Sequence, residues 1–263
     1  MDMQSTDTST PAPIRWYDRP WAALIYFTRL PFWRIHQPPK ECYDSVVEWW
    51  PLTGWLTGGL MAVILYFGSM VFPLPVAVLL AIVARMFVTG ALHEDGLADF
   101  FDGFGGGGTD RQRILAIMKD SHIGTYGVLA LVLYVLLLFL ALYSMPPAAA
   151  SLCILAADPF SKMATSQLVM MLPYARTAEQ AKSKTVYRRP TTAAGISLAL
   201  QGLLPMLLFL YMVDVEWEYV VVVPALVMYF LYMLIWCRLR GYTGDCCGAV
   251  CLIVELAVYL AAC

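Results

Sequence analysis

The chain has 263 residues, of which 60% are hydrophobic and only 14% are charged, and its mean hydropathy is +0.67. A soluble domain carries about 25% charged residues, so this composition excludes an ordinary soluble enzyme and indicates an integral membrane protein. The formal net charge of −2 says little by itself, whereas the distribution of the charges along the chain is informative.

The first 14 residues are polar and rich in Ser, Thr and Pro. No basic segment leads into an apolar core, so we expect a disordered tail rather than a signal peptide. The remainder, 15–263, is predicted to form one integral-membrane domain that begins with an interfacial segment, 15–50. Within that segment the aromatic stretch 20–34 is too short to cross a bilayer and is expected to form a helix at its surface.

Seven apolar stretches come close to the roughly 20 residues that a transmembrane helix needs, which predicts an all-α polytopic membrane bundle. The predicted spans are 52–72, 75–92, 126–145, 149–172, 192–213, 219–237 and 247–262. Three of them carry charged residues, which cost roughly 2.5–3.5 kcal/mol each near the bilayer centre. We therefore expect Arg85 to face the bundle interior, and Asp158 and Lys162 can pair across one helical turn.

The Lys and Arg residues outside these spans all fall in alternate connections. The connections 73–74, 146–148 and 214–218 contain none of them. By the positive-inside rule, the N-terminus is predicted to be cytoplasmic and the C-terminus outside. An incorrect number of spans would scatter the charges over both faces, so the pattern independently supports about seven spans.

An acidic triplet follows the second predicted span. Asp95, Asp99 and Asp102 are spaced i, i+4 and i+7, which places them within an arc of about 60° on a helix. Three like charges on one stripe repel one another, so we expect a bound cation in front of them. Oxygen ligands suit Mg²⁺, or Mn²⁺ as an alternative, bridged by substrate phosphates. Glu94 lies about 100° away and is assigned as an accessory ligand; a solvated acidic loop is the competing interpretation.

The glycine run 105–108 comes next and indicates either a mobile loop beside a phosphate or a plain helix break. It is not a P-loop, because G-K-[ST] is absent. Thr109 or Asp110 can then cap a short helix whose apolar residues are expected to lie on the membrane surface. Those apolar residues are Ile114, Leu115, Ile117 and Met118.

The same short helix carries Arg111, Arg113 and Lys119, which suggest phosphate binding beside the metal. Contact with lipid headgroups is the alternative for the two arginines. His122 and His93 are candidate acid–base groups, although an isolated histidine near a loop is more often structural.

The residues of this region resemble a known family. HEDGLADFFDGF (93–104) followed by RQRILAIMKDSHIGTYG (111–127) is very similar to the signature of the adenosylcobinamide-GDP ribazoletransferase family. Three further segments resemble other elements of that family: FTRLPFW (27–33), SKMATSQLVMMLPYAR (161–176) and GYTGDCCGAVCLIVEL (241–256).

The resemblance implies a late step of cobalamin assembly at the cytoplasmic (inner) membrane of a prokaryote. Adenosylcobinamide-GDP would be attacked by α-ribazole or its 5′-phosphate, and GMP would leave. Magnesium is the implied metal. The expected partners are these small substrates and the lipid bilayer, with no nucleic acid. A homo-oligomer and association with other late cobalamin-assembly enzymes stay open.

The family motifs also imply roles for individual residues. The triplet matches the acidic signature, and Lys119, Asp120 and Ser121 match its downstream half, while Arg176 and Asp245 stand in the other elements. Attack on a diphosphate needs charge neutralised on the leaving group and an aligned hydroxyl. The candidate substrate-binding residues are Lys119, Ser121, Arg85, Arg111, Arg113, Lys162, Arg176 and Asp245. The candidate catalytic groups, which would accept or donate the proton, are Asp99, Asp120 and His122.

Two departures from the family pattern limit what can be transferred. A Gly-Leu-Gly stretch usually follows the Tyr-Ala-Arg, whereas this chain reads TAEQAKSKTVYRRP over 177–190. Lys162 stands where an arginine is common, and the two are not equivalent for bidentate phosphate binding.

Two other functions compete with this interpretation. A membrane phosphotransferase of the CDP-alcohol type also uses spaced aspartates, but its spacing differs from that of Asp95, Asp99 and Asp102. A cation transporter would explain the charges inside the spans, but the acids cluster at one face and no mirrored pair of broken spans is evident.

Overall fold

The computed structural model describes residues 13–176 and 187–263, and all regular elements within these ranges are helices. The all-α polytopic prediction is therefore confirmed. The helices are α1 (Asp18–Phe27), α2 (Trp50–Gly68), α3 (Leu74–Thr89), α4 (Leu92–Gly106), α5 (Arg111–Lys119), α6 (Thr125–Ser144), α7 (Pro147–Met171), α8 (Thr192–Met212), α9 (Trp217–Leu239) and α10 (Gly244–Ala262). Two 3₁₀ segments, Phe32–Arg34 and Lys40–Trp49, precede α2.

Each predicted span coincides with one long helix. Five segments are long and apolar enough to cross a membrane, namely Lys40–Gly68, α6, α8, α9 and α10. Helices α3 and α4 count as a sixth only if they are taken together as one bent span. Helix α7 has 25 residues, but its centre carries Asp158 and Lys162 among small and hydroxylated side chains. The number seven and the orientation of the termini stay predictions.

Helix α7 is the central helix of the bundle, packing against α2, α8 and α10. Its approach to α2 is close because glycine stands at the crossing: a Cβ atom added at Gly54 would lie 2.8 Å from the backbone nitrogen of Pro159. At the same level Lys162 forms an ion pair with Asp158, whose other oxygen accepts a hydrogen bond of 2.7 Å from Thr57. The predicted pairing within α7 is present.

The chain turns sharply between α3 and α4, whose axes are bent by 89°. Gly90 and Ala91 make the turn with left-handed φ angles of 65° and 55°, a region that glycine occupies at little cost and alanine does not. The side chain of Arg29 fills the space over Gly90, and its backbone N–H donates to the carbonyl of Val88 at 2.7 Å. The N-terminal segment thus supports the bend that begins the acidic helix.

Two boundaries differ from the expectations. The interfacial helix predicted over 20–34 ends at Phe27, because Thr28 is extended and Pro31 follows. Ile114 and Met118 of α5 are fully buried against α4 rather than lying on the membrane surface, since the missing side chain of Gly103 leaves room for Met118. The predicted tail, 1–14, and the loop 177–190 lie largely outside the described residues.

Candidate active site

A cavity of about 300 Å³ opens at the end of the bundle where α7 ends and α10 begins. The two connections there are tied together as a short parallel bridge, in which Ala175 donates to the carbonyl of Tyr242 at 2.8 Å. The residues that line the cavity are Tyr26, Phe27, Trp50, Leu92, His93, Asp95, Gly96, Tyr174, Arg176, Tyr187, Gly244, Asp245, Cys247 and Gly248. Four of the predicted site residues therefore meet in one place, namely His93, Asp95, Arg176 and Asp245.

Two glycines bring the acidic residues together. Helices α4 and α10 cross at Gly96 and Gly248, where an added Cβ atom at Gly96 would lie 3.1 Å from the carbonyl oxygen of Asp245. A Cβ atom added at Gly248 would lie 3.2 Å from the carbonyl oxygen of His93. Neither helix has a side chain at the crossing, and the cavity beside it is lined by Asp95, next to Gly96, and by Asp245, about one turn before Gly248.

Arg176 supplies the positive charge of the site. Its guanidinium lies 3.8 Å from a carboxylate oxygen of Asp245, and both side chains are largely buried. A hydrogen bond of 3.1 Å to the carbonyl of Leu115 fixes the arginine against α5. The arrangement presents two carboxylates and one guanidinium to whatever enters the cavity.

The acidic stripe lies on one continuous helix, as predicted, but its members have different surroundings. Asp95 lines the cavity, and Asp99 follows one turn later and is half-buried. Asp102 is buried at the start of α6, where its two oxygens accept hydrogen bonds from the N–H groups of Gly124 (2.7 Å) and Gly127 (2.9 Å). The carboxylate of Asp102 thus caps α6.

The side chains around the cavity bear on the predicted metal site. Within 13–176 and 187–263, no three His, Cys, Asp or Glu side chains are arranged to hold an ion among themselves. Mg²⁺, however, is usually bound by one or two carboxylates together with substrate phosphates and water. Asp95 and Asp245 fit that requirement, whereas Glu94 is buried and does not line the cavity.

A second groove, of about 420 Å³, lies on the other side of Arg176. Its basic residues are Arg111, Lys119 and Arg176. Arg111 donates to the main-chain carbonyls of Leu239 and Ala175, both at 2.7 Å, so it also joins α5 to two neighbouring segments. The predicted phosphate-binding residues of α5 therefore lie next to the cavity, except Arg113, which is exposed and lines neither space.

The turn before α6 holds Asp120, Ser121 and His122, all of them exposed and outside the cavity. His122 Nδ1 lies 2.6 Å from the Asp120 carboxylate. This hydrogen bond raises the pKa of His122 and lowers the pKa of Asp120. The pair is held together, but the structure does not bring it to Asp95 and Asp245.

Arg85 and Lys162 do not line the cavity. Arg85 is 3% exposed and pairs with Glu255, while its second terminal nitrogen donates to the Tyr134 hydroxyl at 2.7 Å. Lys162 is also 3% exposed and is occupied by Asp158. These positions favour a structural role for both side chains over the predicted contact with substrate.

Another part of the cavity wall is aromatic, a feature that was not predicted from the sequence. Phe27, Trp50 and His93 stack with nearly parallel rings, with centroids 5.1 Å apart for Phe27–Trp50 and 5.8 Å apart for Trp50–His93. Tyr26, Tyr174 and Tyr187 complete the wall. The only signal in the sequence was the aromatic content of 26–50, which equally suits an interfacial helix.

Comparison with known proteins identifies the family. Residues 19–263 match the CobS family, described as cobalamin-5-phosphate synthase. An adenosylcobinamide-GDP ribazoletransferase of Leptothrix cholodnii is 36% identical over 247 residues, which cover 90% of this chain and 92% of the relative. Its counterpart in Shewanella baltica is 34% identical over 251 residues, 90% of each chain. No solved structure matches. Because the match covers nearly the whole sequence, this chain belongs to the cobalamin-5-phosphate synthase family.

Proposed function

We propose that this protein is a transferase that joins α-ribazole or its 5′-phosphate to adenosylcobinamide-GDP, with release of GMP, in late cobalamin biosynthesis. The observation that carries the proposal is the cavity lined by Asp95, Asp245 and Arg176 in a chain that matches the family over residues 19–263. Neither a CDP-alcohol phosphotransferase nor a cation transporter has comparable support.

The reaction replaces GMP on the corrinoid phosphate by the hydroxyl of the nucleoside. Negative charge develops on the diphosphate as the bond to GMP breaks, so fixed positive charges beside it lower the barrier. Arg176 lines both the cavity and the adjoining groove, and Lys119 also lines the groove. Under the proposal these two side chains would hold non-bridging oxygens of the diphosphate. A carboxylate of the acidic helix, Asp95 or Asp99, is the proposed acceptor of the hydroxyl proton.

Magnesium belongs to the proposal as a cofactor. The carboxylates of Asp95 and Asp245, with Asp99 on the next turn of α4, would hold the ion together with phosphate oxygens. When bound, it would neutralise the charge of the diphosphate and of the leaving GMP. We also propose that the cavity faces the cytoplasm in the inner membrane, the side indicated by the basic connections.

The test uses the purified protein in liposomes with adenosylcobinamide-GDP, α-ribazole 5′-phosphate and Mg²⁺. We expect GMP and the joined corrinoid product to form in equal amounts and the reaction to stop when the metal is chelated. Asp99→Asn is expected to lower the rate about 100-fold or more, the usual loss when a group that stabilises the transition-state charge is removed. The matched control is Asp214→Asn, because Asp214 is exposed and distant from the cavity.

Two outcomes would contradict different parts of the proposal. Wild-type turnover by Asp99→Asn would overturn its assignment to the metal site and leave the reaction standing. Release of CMP from a CDP-alcohol, with no product from the GDP-corrinoid, would overturn the reaction itself.

A further inference from the structure

The aromatic wall of the cavity is built from separate segments of the chain. Phe27 ends α1, Trp50 begins α2 and His93 belongs to α4, yet the interplanar angles within this stack are only 9° to 13°. Tyr26 and Tyr187 meet edge to face, joined by a hydrogen bond of 3.0 Å between their hydroxyl groups. The result is a set of flat surfaces that border one side of the cavity.

Two polar atoms on this wall have no protein partner among the described residues. Trp50 and His93 are 2% and 4% exposed, and their side-chain atoms Nε1 and Nε2 are buried without a hydrogen bond. Leaving a buried donor unsatisfied is costly, so such an atom in a cavity wall indicates a ligand that would satisfy it. A ligand suited to this wall has a planar ring and a ring nitrogen that can accept a hydrogen bond.

The size and charge of the cavity further limit the class of ligand that it can bind. About 300 Å³ is the lower end of the range of pockets that enclose drug-sized ligands, so the cavity suits a nucleoside rather than a corrin macrocycle. Burial raises the pKa values of Tyr174 and Tyr187, which keeps both phenols neutral. The same cavity is lined by the aromatic wall and by three charged residues, Asp95, Asp245 and Arg176. The wall can therefore bind the ring of a nucleoside while the charged residues bind its sugar hydroxyls.

We propose that the stack of Phe27, Trp50 and His93 binds the fused-ring base of the incoming nucleoside, and so orients its ribose hydroxyl toward the acidic residues. This inference rests on the proposed function. A benzimidazole base is planar and largely apolar, and its free ring nitrogen accepts one hydrogen bond, which matches the wall better than the several polar groups of guanine. Trp50 and Phe27 are positioning residues under this proposal, because they do not touch the reacting atoms.

The experiment separates the two substrates kinetically. Trp50→Leu and Phe27→Leu should each raise the KM for α-ribazole 5′-phosphate roughly 10- to 100-fold, the effect of losing a base–aromatic stack. The KM for adenosylcobinamide-GDP should stay within about twofold. Trp50→Phe, which keeps one aromatic ring but removes the donor nitrogen and the second ring, should lie between wild type and Trp50→Leu. The control is Trp217→Leu, since Trp217 is 58% exposed and far from the cavity.

Binding can also be measured directly. This measurement does not require turnover, so it remains informative if a variant folds poorly or if the wild-type protein is inactive. Titration of the wild-type protein with α-ribazole 5′-phosphate should quench tryptophan fluorescence, and Trp50→Phe should lose most of that change, whereas GMP should cause little. A rise in the KM for the GDP-corrinoid instead, or quenching by GMP alone, would overturn the inference while the proposed function survives. Absence of product from the wild-type protein would contradict the proposed function, and the titration would still decide what the aromatic wall binds.

Discussion

Arg85 and Glu255 are 170 residues apart in sequence and form an ion pair inside the bundle. The pair is completed by two phenols, since Tyr134 accepts from Arg85 at 2.7 Å and Tyr259 donates to Glu255 at 2.5 Å. A buried charge is tolerated only when it is paired and its remaining hydrogen-bonding capacity is satisfied. The network therefore explains two charged residues within predicted spans without assigning either to the substrate.

Removing one partner of this pair should destabilise the fold. Glu255→Ala is expected to lower the free energy of unfolding by about 3–5 kcal/mol, because it leaves the Arg85 guanidinium buried and unpaired. The measurement is thermal or denaturant unfolding in a defined detergent.

The double variant Arg85→Met, Glu255→Met is the matched control. It removes both charges, so most of the stability should return. Activity should return with it if Arg85 is structural. A stable but inactive double variant would instead support the role of Arg85 in substrate binding that the sequence suggested.

At the scale of the helices, the site depends on the crossing of α4 and α10. Gly96 and Gly248 let the two backbones approach, and this contact sets the distance between the walls that carry Asp95 and Asp245. A side chain introduced at the crossing must push the helices apart, since the atoms it would meet belong to the main chain.

Gly248→Val tests this contact. Overpacking of this kind usually costs about 1–3 kcal/mol of stability. A displacement of the catalytic groups by about 1 Å can lower the rate roughly 100-fold, so we expect activity to fall more than stability. The assay is GMP release from protein that still unfolds cooperatively.

Gly59→Val is the control for the same change in another helix. The nearest atom to a Cβ at Gly59 is the flexible end of Leu155, at 3.8 Å. Equal losses of activity at both positions would show that the effect at Gly248 is not specific to the site.

The helices were predictable from the sequence because an apolar segment long enough to cross the bilayer can adopt few structures other than a helix. Helix α6, for example, runs from 125 to 144 against a prediction of 126–145. The contacts between distant segments were not predictable. From their spacing on α4, Asp102 and Asp95 were both predicted to be metal ligands. In the structure the carboxylate of Asp102 instead caps α6 by accepting hydrogen bonds from Gly124 and Gly127. Nothing in the local pattern shows that Phe27, Trp50 and His93 would stack.

Across the whole molecule, the basic connections contact one another at one end of the bundle. Arg111 bonds to the end of α9, and Arg176 bonds to α5 and lies beside the start of α10. The cavity and its adjoining groove open at this same end. The positive-inside rule predicts that this end lies on the cytoplasmic side of the membrane.

The orientation can be measured by labelling with a membrane-impermeable maleimide in right-side-out vesicles. Cys237→Ser removes the other exposed cysteine, and Cys263→Ser is added whenever an introduced cysteine is tested. The native Cys263 and an introduced Glu216→Cys should react in intact vesicles, because both positions are exposed at the end predicted to be outside. Thr109→Cys, at the exposed turn before α5, should react only after permeabilisation. Labelling of Thr109→Cys and Glu216→Cys from the same side would contradict the predicted topology.

The 89° turn between α3 and α4 has an energetic consequence for insertion. If α3 crosses the bilayer near its normal, α4 runs almost parallel to the surface. The four carboxylates of α4 then lie outside the hydrocarbon, namely those of Glu94, Asp95, Asp99 and Asp102. Burying all four in the bilayer would cost on the order of 10 kcal/mol. The left-handed backbone of Ala91 costs about 1–2 kcal/mol, which is much less than the cost of burying these carboxylates. The turn therefore allows the acidic helix α4, which is too polar to cross the bilayer, to follow directly after α3, which is apolar enough to insert into it.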